Sequence, residues 1–219
     1  MNVCTIWWAA PVSPADSPQL VDLLDAHERE RLNRLQPDAD QARYLAAHVL
    51  TRRVLGLWMD RPAASVVIDR PCICGKPHGK PTLDGGPEFS LTHASNVVGV
   101  AVHDQPVGLD VERVRPLPDL PSLAKFACSC RETVTDTTQF FRLWTRKEAL
   151  LKATGAGLSS PMSAITLGRQ GVCSWTGPGA PTEPVWLVDL APSTRHPAAA
   201  AGLGPLPVVH EEDGDALLR

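Results

Sequence analysis

Two acids stand two positions apart in "VGLDVERVRP", residues 107–116, and further on "LWTRKEALLK" spaces Trp144, Glu148 and Lys152 four residues apart. In an extended strand side chains alternate, so Gly108, Asp110 and Glu112 fall on one face. Two carboxylates on one side repel each other unless a cation lies between them or water screens them. Oxygen donors of this kind suit Mg²⁺, which takes a few carboxylates together with water and phosphate oxygens. Gly108 leaves room for a ligand, or merely for a turn. An exposed edge strand whose acids face water accounts for the pair equally well. On a helix, a spacing of four places side chains along one stripe. Glu148 could therefore add a third carboxylate, and Lys152 an ammonium able to hold a phosphate. A surface Glu–Lys pair, worth about 0.2–0.5 kcal/mol, is the alternative.

The elements that would position these residues follow from periodicity. The run 17–36, "SPQLVDLLDAHERERLNRLQ", has helical spacing, and Pro37 interrupts it. "DADQARYLAAHVLTRRVLG" reads as a second helix with acids at its start and Gly56 after its end. A loop with a short strand, "ASVVIDR", precedes two strands, "EFSLTHA" and "VVGVAVHD". A turn at Asp104–Pro106 leads into "VGLDVERV" and marks a boundary between 1–104 and 105–219. A third helix runs through "QFFRLWTRKEALLKATG", and "SAITLG", "GVCSW" and "VWLVDLA" are short strands. The segment from Pro192 onward is rich in Ala, Pro and Gly, is weakly patterned and is expected to be partly disordered.

Composition excludes several classes. The chain has 219 residues, 43% hydrophobic and 21% charged, with a formal net charge of −3, the balance of a globular protein rather than a nucleic-acid binder. No run approaches the ~18 apolar residues of a membrane span. The opening "MNVCTIWWAAPVSP" lacks the basic start of a secretory leader, so a cytoplasmic location is expected. Six cysteines then read as reduced thiols, and 21 prolines favour a loop-rich α+β protein over a helical bundle.

Taken together, "FSLTHASN", "VGLDVE" and "WTRKEALLK" resemble, in order and spacing, the three signature motifs of phosphopantetheinyl transferases. The nearer likeness is to the surfactin-synthetase-activating (Sfp) type. It runs from about Arg29 to Leu167 and takes in "HGKP" ahead of the first motif. The resemblance implies an α+β fold of two similar lobes related by a pseudo-two-fold, each a small antiparallel sheet packed on a long helix. The first lobe would bind the nucleotide end of coenzyme A, and the second would supply the metal and the carrier-protein contact, with the active site at their junction. The implied reaction moves the phosphopantetheine arm of coenzyme A to a serine of an acyl or peptidyl carrier protein, with Mg²⁺ (or Mn²⁺ in its place), releasing adenosine bisphosphate. Asp110, Glu112 and Glu148 would hold the metal. Glu148 is favoured over Glu112 as the base, with a bound water as a further candidate, and Lys152 would contact a coenzyme A phosphate. His93 would do the same, with Thr92 standing where serine is usual. Lys80 and Pro81 match a loop over the adenine and phosphates. Arg43, with Arg31 and Arg34 as companions, matches a basic segment for the ribose phosphate; arginine suits this because its planar fork grips phosphate. Enzymes of this type act as two-lobe monomers and often serve secondary metabolism, including antibiotic biosynthesis.

Two stretches depart from the pattern. "PCICGKPHG" brings Cys72, Cys74 and His78 together, but C-x-C with one histidine matches zinc spacing poorly, so a structural thiol pair is expected. "KFACSCRETVTDTTQ" stands where relatives carry an acidic helical stretch. The carrier is therefore expected on an apolar patch around Leu117–Phe126 with Lys125 and Arg131. Competing readings are a Mg²⁺-dependent phosphohydrolase acting on coenzyme A or a nucleotide, and a catalytically silent coenzyme A-binding or zinc-stabilised module.

Overall fold

The computed structural model describes residues 2–71, 79–169 and 171–219. The Cys72–His78 cluster lies outside the described residues. The strands are β1 (Val3–Ala9), β2 (Glu88–Ala94), β3 (Val97–His103), β4 (Val107–Val111), β5 (Ile165–Gly168), β6 (Gly171–Trp175), β7 (Val185–Ser193), β8 (His196–Leu203) and β9 (Val208–Asp213). The helices are α1 (Pro18–Val21), α2 (Ala26–Arg34), α3 (Asp38–Trp58), α4 (Leu120–Ala127) and α5 (Thr137–Thr154). The fold is α+β, and the chain divides into two compact units.

The first unit comprises Val3–Asp104 and Val208–Arg219. Its sheet has the order β2-β3-β1-β9, antiparallel except for the parallel β1–β9 pair. The C-terminal segment, expected to belong with residues 105–219 and to be partly disordered, instead supplies β9, an edge strand of this sheet. Its alternation was hidden because only one valine of β9 is even half-buried and four acidic or histidine residues follow. Helix α3 packs on the sheet through an almost unbroken buried run from Leu45 to Gly56.

The expected single helix over 17–36 is two. Asp25 caps α2, its carboxylate accepting from the Glu28 amide at 2.8 Å, while Glu28 accepts from the Asp25 amide at 3.0 Å. This reciprocal capping satisfies donors that a continuing helix would have bonded internally. The strand expected at "ASVVIDR" is also absent. Ala63–Ser65 form a single 3₁₀ turn, and only an isolated bridge joins Asp69 to Thr82.

The second unit is Gln105–Pro207. Its antiparallel sheet has the order β4-β8-β7, and β5–β6 form a separate hairpin. Helix α5 starts at the Asp136 cap, which accepts from the Gln139 amide, and ends at Gly155 in the left-handed conformation (φ 69°). It packs on β4 and β8, where Ala149 and Leu150 share a buried cluster with Ala199 and Ala201. Small residues on both surfaces bring the helix close to the sheet. At Gly108 the approach is closest: an added Cβ would collide with the Ala149 carbonyl oxygen and lie 2.5 Å from the Ala153 amide nitrogen.

Candidate active site

That close approach sets two of the three acids. β4 is an edge strand, but α5 covers it and all five of its residues are buried. Asp110 is only 7% exposed, which removes the water-facing alternative for this residue. Glu112 falls just beyond the end of β4, with its amide donating to the Pro197 carbonyl at 3.0 Å. Glu148 and Lys152 come from α5, on the stripe expected for i, i+4 spacing.

Lys152 Nζ donates to Asp110 Oδ1 at 2.7 Å and to the Leu109 carbonyl at 2.9 Å. Burial first, with Glu148 and Glu112 reinforcing it and the charge and hydrogen bond of Lys152 opposing, pushes the Asp110 carboxyl up to about 6. Glu148 is also raised, first by burial, with Lys152 opposing and Glu112 reinforcing. The three carboxylates therefore sense one another, the condition that a divalent cation relieves. Glu112 is held by Arg115 Nη1 at 3.0 Å, and the same guanidinium stacks 4.7 Å from the Phe141 ring centroid. Among the described residues, no group of three or more His, Cys, Asp or Glu side chains is gathered closely enough to hold a metal ion by itself. The donor set suits a cation that keeps water and substrate oxygens in its shell, the habit of Mg²⁺, with Lys152 and Arg115 holding two of the acids meanwhile.

Lys147, which precedes Glu148, lies inside "WTRKEALLK", but the motif gives it no role. It is fully buried. Its ammonium donates to the Ala127 carbonyl at 2.7 Å, the Met162 carbonyl at 3.1 Å and Glu132 at 2.5 Å. Glu132 in turn accepts from the amides of Ser129 and Leu167, both at 2.7 Å. One ion pair thus ties α5, at the residue beside Glu148, to the segments before and after it. Burial lowers the proton affinity of Lys147, and Glu132 opposes that.

The first-unit candidates are distributed over four segments. Arg43, on α3, donates to the Ser95 carbonyl at 3.3 Å and pairs with Asp40, which brings it to the turn just after His93. His93 is exposed at the end of β2, and Thr92 is buried. Lys80 pairs with Glu88 at 2.9 Å, and Pro81 beside it is half-buried. Arg31 and Arg34 lie exposed on α2, Arg34 paired with Glu30. Arg52, less distinct in the sequence, is a core residue. With Arg70 and His48 it surrounds the fully buried Glu28: Arg52 Nη2 lies 2.7 Å and His48 Nδ1 2.9 Å from the carboxylate.

In the carrier patch, α4 packs Leu120 and Leu123 toward the core, leaves Phe126 55% exposed and carries Lys125 in its last turn. The Phe126 ring lies 6.3 Å from that of Trp144. Cys128 and Cys130 are free thiols.

The profile of the 4'-phosphopantetheinyl transferase superfamily matches residues 106–185, the segment carrying Asp110, Glu112, Glu148 and Lys152. The 4'-phosphopantetheinyl transferase HetI of Nostoc sp. is 33% identical over 216 residues, covering 90% of this chain and 86% of that protein. The chain belongs to this family and is an enzyme of the phosphopantetheinyl transferase class. Within it the chain is of the Sfp type: the Sfp protein of Bacillus subtilis is 24% identical over 176 residues, 76% of each chain. AcpT of Salmonella typhi, also named a 4'-phosphopantetheinyl transferase, is 30% identical over 155 residues, 66% of this chain and 71% of that one. Among the described residues no helix is long and apolar enough to cross a membrane.

Proposed function

We propose that this enzyme transfers the phosphopantetheine arm of coenzyme A to a serine hydroxyl of an acyl or peptidyl carrier protein and releases adenosine bisphosphate. The observation that carries the reading is the buried Asp110–Lys152 pair beside Glu148, on the segment matched by the family profile.

Asp110, Glu112 and Glu148 would hold Mg²⁺, which when bound supplies positive charge against the diphosphate as it is cleaved. The remaining chemistry falls to the chain. Glu148, with its proton affinity raised by burial, would accept the proton of the serine hydroxyl. The serine oxygen attacks the phosphorus that bears the pantetheine arm, and the bond to the adenosine bisphosphate breaks, so charge moves onto the leaving phosphate. Lys152 offers a fixed ammonium for that charge, already held by Leu109 and Asp110 rather than recruited from solvent. In the first unit, Arg43, Lys80 with Pro81, Thr92 and His93 are the candidates for the nucleotide end, with Arg31 and Arg34 contributing long-range charge. The Leu117–Phe126 segment with Lys125 and Arg131 is the candidate carrier contact. We also retain as proposals a cytoplasmic monomer with two pseudo-symmetric lobes, and service in secondary metabolism.

The test is intact-mass spectrometry of an apo carrier protein incubated with the enzyme, coenzyme A and Mg²⁺. The proposal predicts a gain of one phosphopantetheine and equimolar adenosine bisphosphate. Breakdown of coenzyme A with no gain on any carrier would replace it by the phosphohydrolase reading.

A further inference from the structure

A single buried carboxylate joins the segments that carry most of the first-unit candidates for the nucleotide end of coenzyme A. Glu28, on α2, is fully buried. Its Oε1 lies 2.9 Å from His48 Nδ1 and accepts from Arg70 Nη2, and its Oε2 accepts from Arg52 Nη2 at 2.7 Å. Asp25 adds a second carboxylate, 3.0 Å from Arg52 and 3.7 Å from Arg70. Two acids and two guanidinium groups balance one another, so the cluster draws no charge from Arg31, Arg34 or Arg43.

Each side of the cluster stands on a segment with such a candidate. Glu28 precedes Arg31 on α2, and His48 follows Arg43 on α3. Next to Arg43, the centroid of the Tyr44 ring lies 4.0 Å from that of His48. Burial first, with Glu28 and Asp25 adding and Arg70 and Arg31 opposing, pushes the Tyr44 hydroxyl up to about 12; Arg31 is thus within electrostatic reach of the same phenol as the cluster. Asp69, beside Arg70, exchanges both backbone hydrogen bonds with Thr82, at 2.9 and 2.8 Å, and the Gly79 amide donates to the Arg70 carbonyl at 3.3 Å. Arg70 therefore stands across from the stretch 79–82, which carries Lys80 and Pro81. Arg52 ties α3 to the same region by donating to the Val66 carbonyl. A buried ionic cluster stabilises a fold no better than packed apolar side chains of similar volume, but its hydrogen bonds fix one arrangement of the segments that supply them.

We propose that Arg70 is a positioning residue for the nucleotide end of coenzyme A: through Glu28 it fixes α2, with Arg31, against α3, with Arg43, and against the stretch that carries Lys80 and Pro81. The inference rests on the proposed reading of the first unit as the one that binds the nucleotide. The Arg70 side chain is 12% exposed and engaged by Glu28 and Asp25, so it acts through the arginines and lysine it places.

The experiment is calorimetric titration of the full chain with coenzyme A and with dephospho-coenzyme A, which lacks the ribose phosphate, beside steady-state transfer kinetics and thermal melting. The wild type should prefer coenzyme A at least about tenfold, the mark of arginines set on that phosphate. Arg70→Met should lose most of this preference, and its KM for coenzyme A should rise about tenfold with kcat unchanged, the pattern of lost ground-state binding. Arg70→Lys, which keeps one charge but not the fork, should recover part of the preference. His48→Leu breaks the α3 side instead and should shift the preference the same way, so the test survives one variant that fails to fold. Wild-type preference in folded Arg70→Met would overturn the inference, as would equal weakening of both ligands, which marks a merely structural loss. A wild type that binds both ligands alike would instead refute the nucleotide-binding reading of these arginines, and the inference with it.

Discussion

Lys152 reaches back from α5 to Asp110 on β4, its ammonium 2.7 Å from Oδ1, and so one residue of the proposed phosphate-binding helix also holds a proposed metal ligand. The same ammonium bonds the Leu109 carbonyl, which fixes it to the strand whatever the protonation of Asp110. Replacing Lys152 by Met removes a charge and a hydrogen bond that lower the Asp110 proton affinity. In metal-free protein the Asp110 carboxyl, at about 6 in the wild type, should then titrate higher, as ¹³C NMR of labelled aspartate would show. Transfer activity should fall ~10²-fold, in the range for loss of one preorganised charge-stabilising donor.

Gly108 is the position where α5 and β4 leave no space for a side chain. Gly108→Ala must separate the helix from the strand or distort one of them. Overpacking of this kind costs about 1–3 kcal/mol. Urea denaturation should report that loss, and activity should fall further than stability, because the displaced surfaces carry Asp110 and Glu148. Wild-type stability in the variant would show that the contact relaxes freely.

The Lys147–Glu132 pair is buried on both sides, at 0% and 6% side-chain exposure. Removing one member leaves the other charge without its partner, which costs about 3–5 kcal/mol in buried pairs. Lys147→Met and Glu132→Gln should each destabilise by that amount, and the double variant by clearly less than their sum. Additive losses in chemical denaturation would mean that the two residues act separately.

Glu28 sets an acid limit on the first unit. Burial pushes its carboxyl up, but His48 and Arg52, with the Asp25 amide, outweigh burial and hold it well below the usual carboxylate range. A carboxylate depressed in the folded state stabilises it above the ordinary value of ~4.3, and that contribution is lost as pH falls toward the folded value. The melting temperature should therefore drop steeply below pH ~4. Glu28→Gln should be about 3–5 kcal/mol less stable at neutral pH and show a flatter slope over the same acid range.

How much of this was legible in the sequence depends on whether the signal was local. Asp110, Glu112, Glu148 and Lys152 stand in short motifs whose spacing already places them on a strand and a helix, and α3 and α5 carry clear periodicity with caps. Lys147 and Glu132 are fifteen residues apart, and nothing in either segment marks them as partners. The Glu28 cluster joins residues from three separate stretches in the same way. β9 lacks a buried face strong enough to announce a strand, and its pairing with β1 spans nearly the whole chain. The Asp25 cap, by contrast, was readable: Asp followed three residues later by Glu is a helix-start signal inside what periodicity alone joins into one helix.

The claim that Asp110, Glu112 and Glu148 together hold the catalytic cation is the one on which the mechanism turns. The direct measurement is Mn²⁺ binding by electron paramagnetic resonance in the presence of coenzyme A, for the wild type, Asp110→Asn, Glu112→Gln and Glu148→Gln, with carrier modification followed on the same samples. The account predicts one ion per chain in the wild type and at least about tenfold weaker binding in each variant, about 1.4 kcal/mol, with transfer lost in parallel. Wild-type Mn²⁺ affinity in variants that no longer modify the carrier would contradict it.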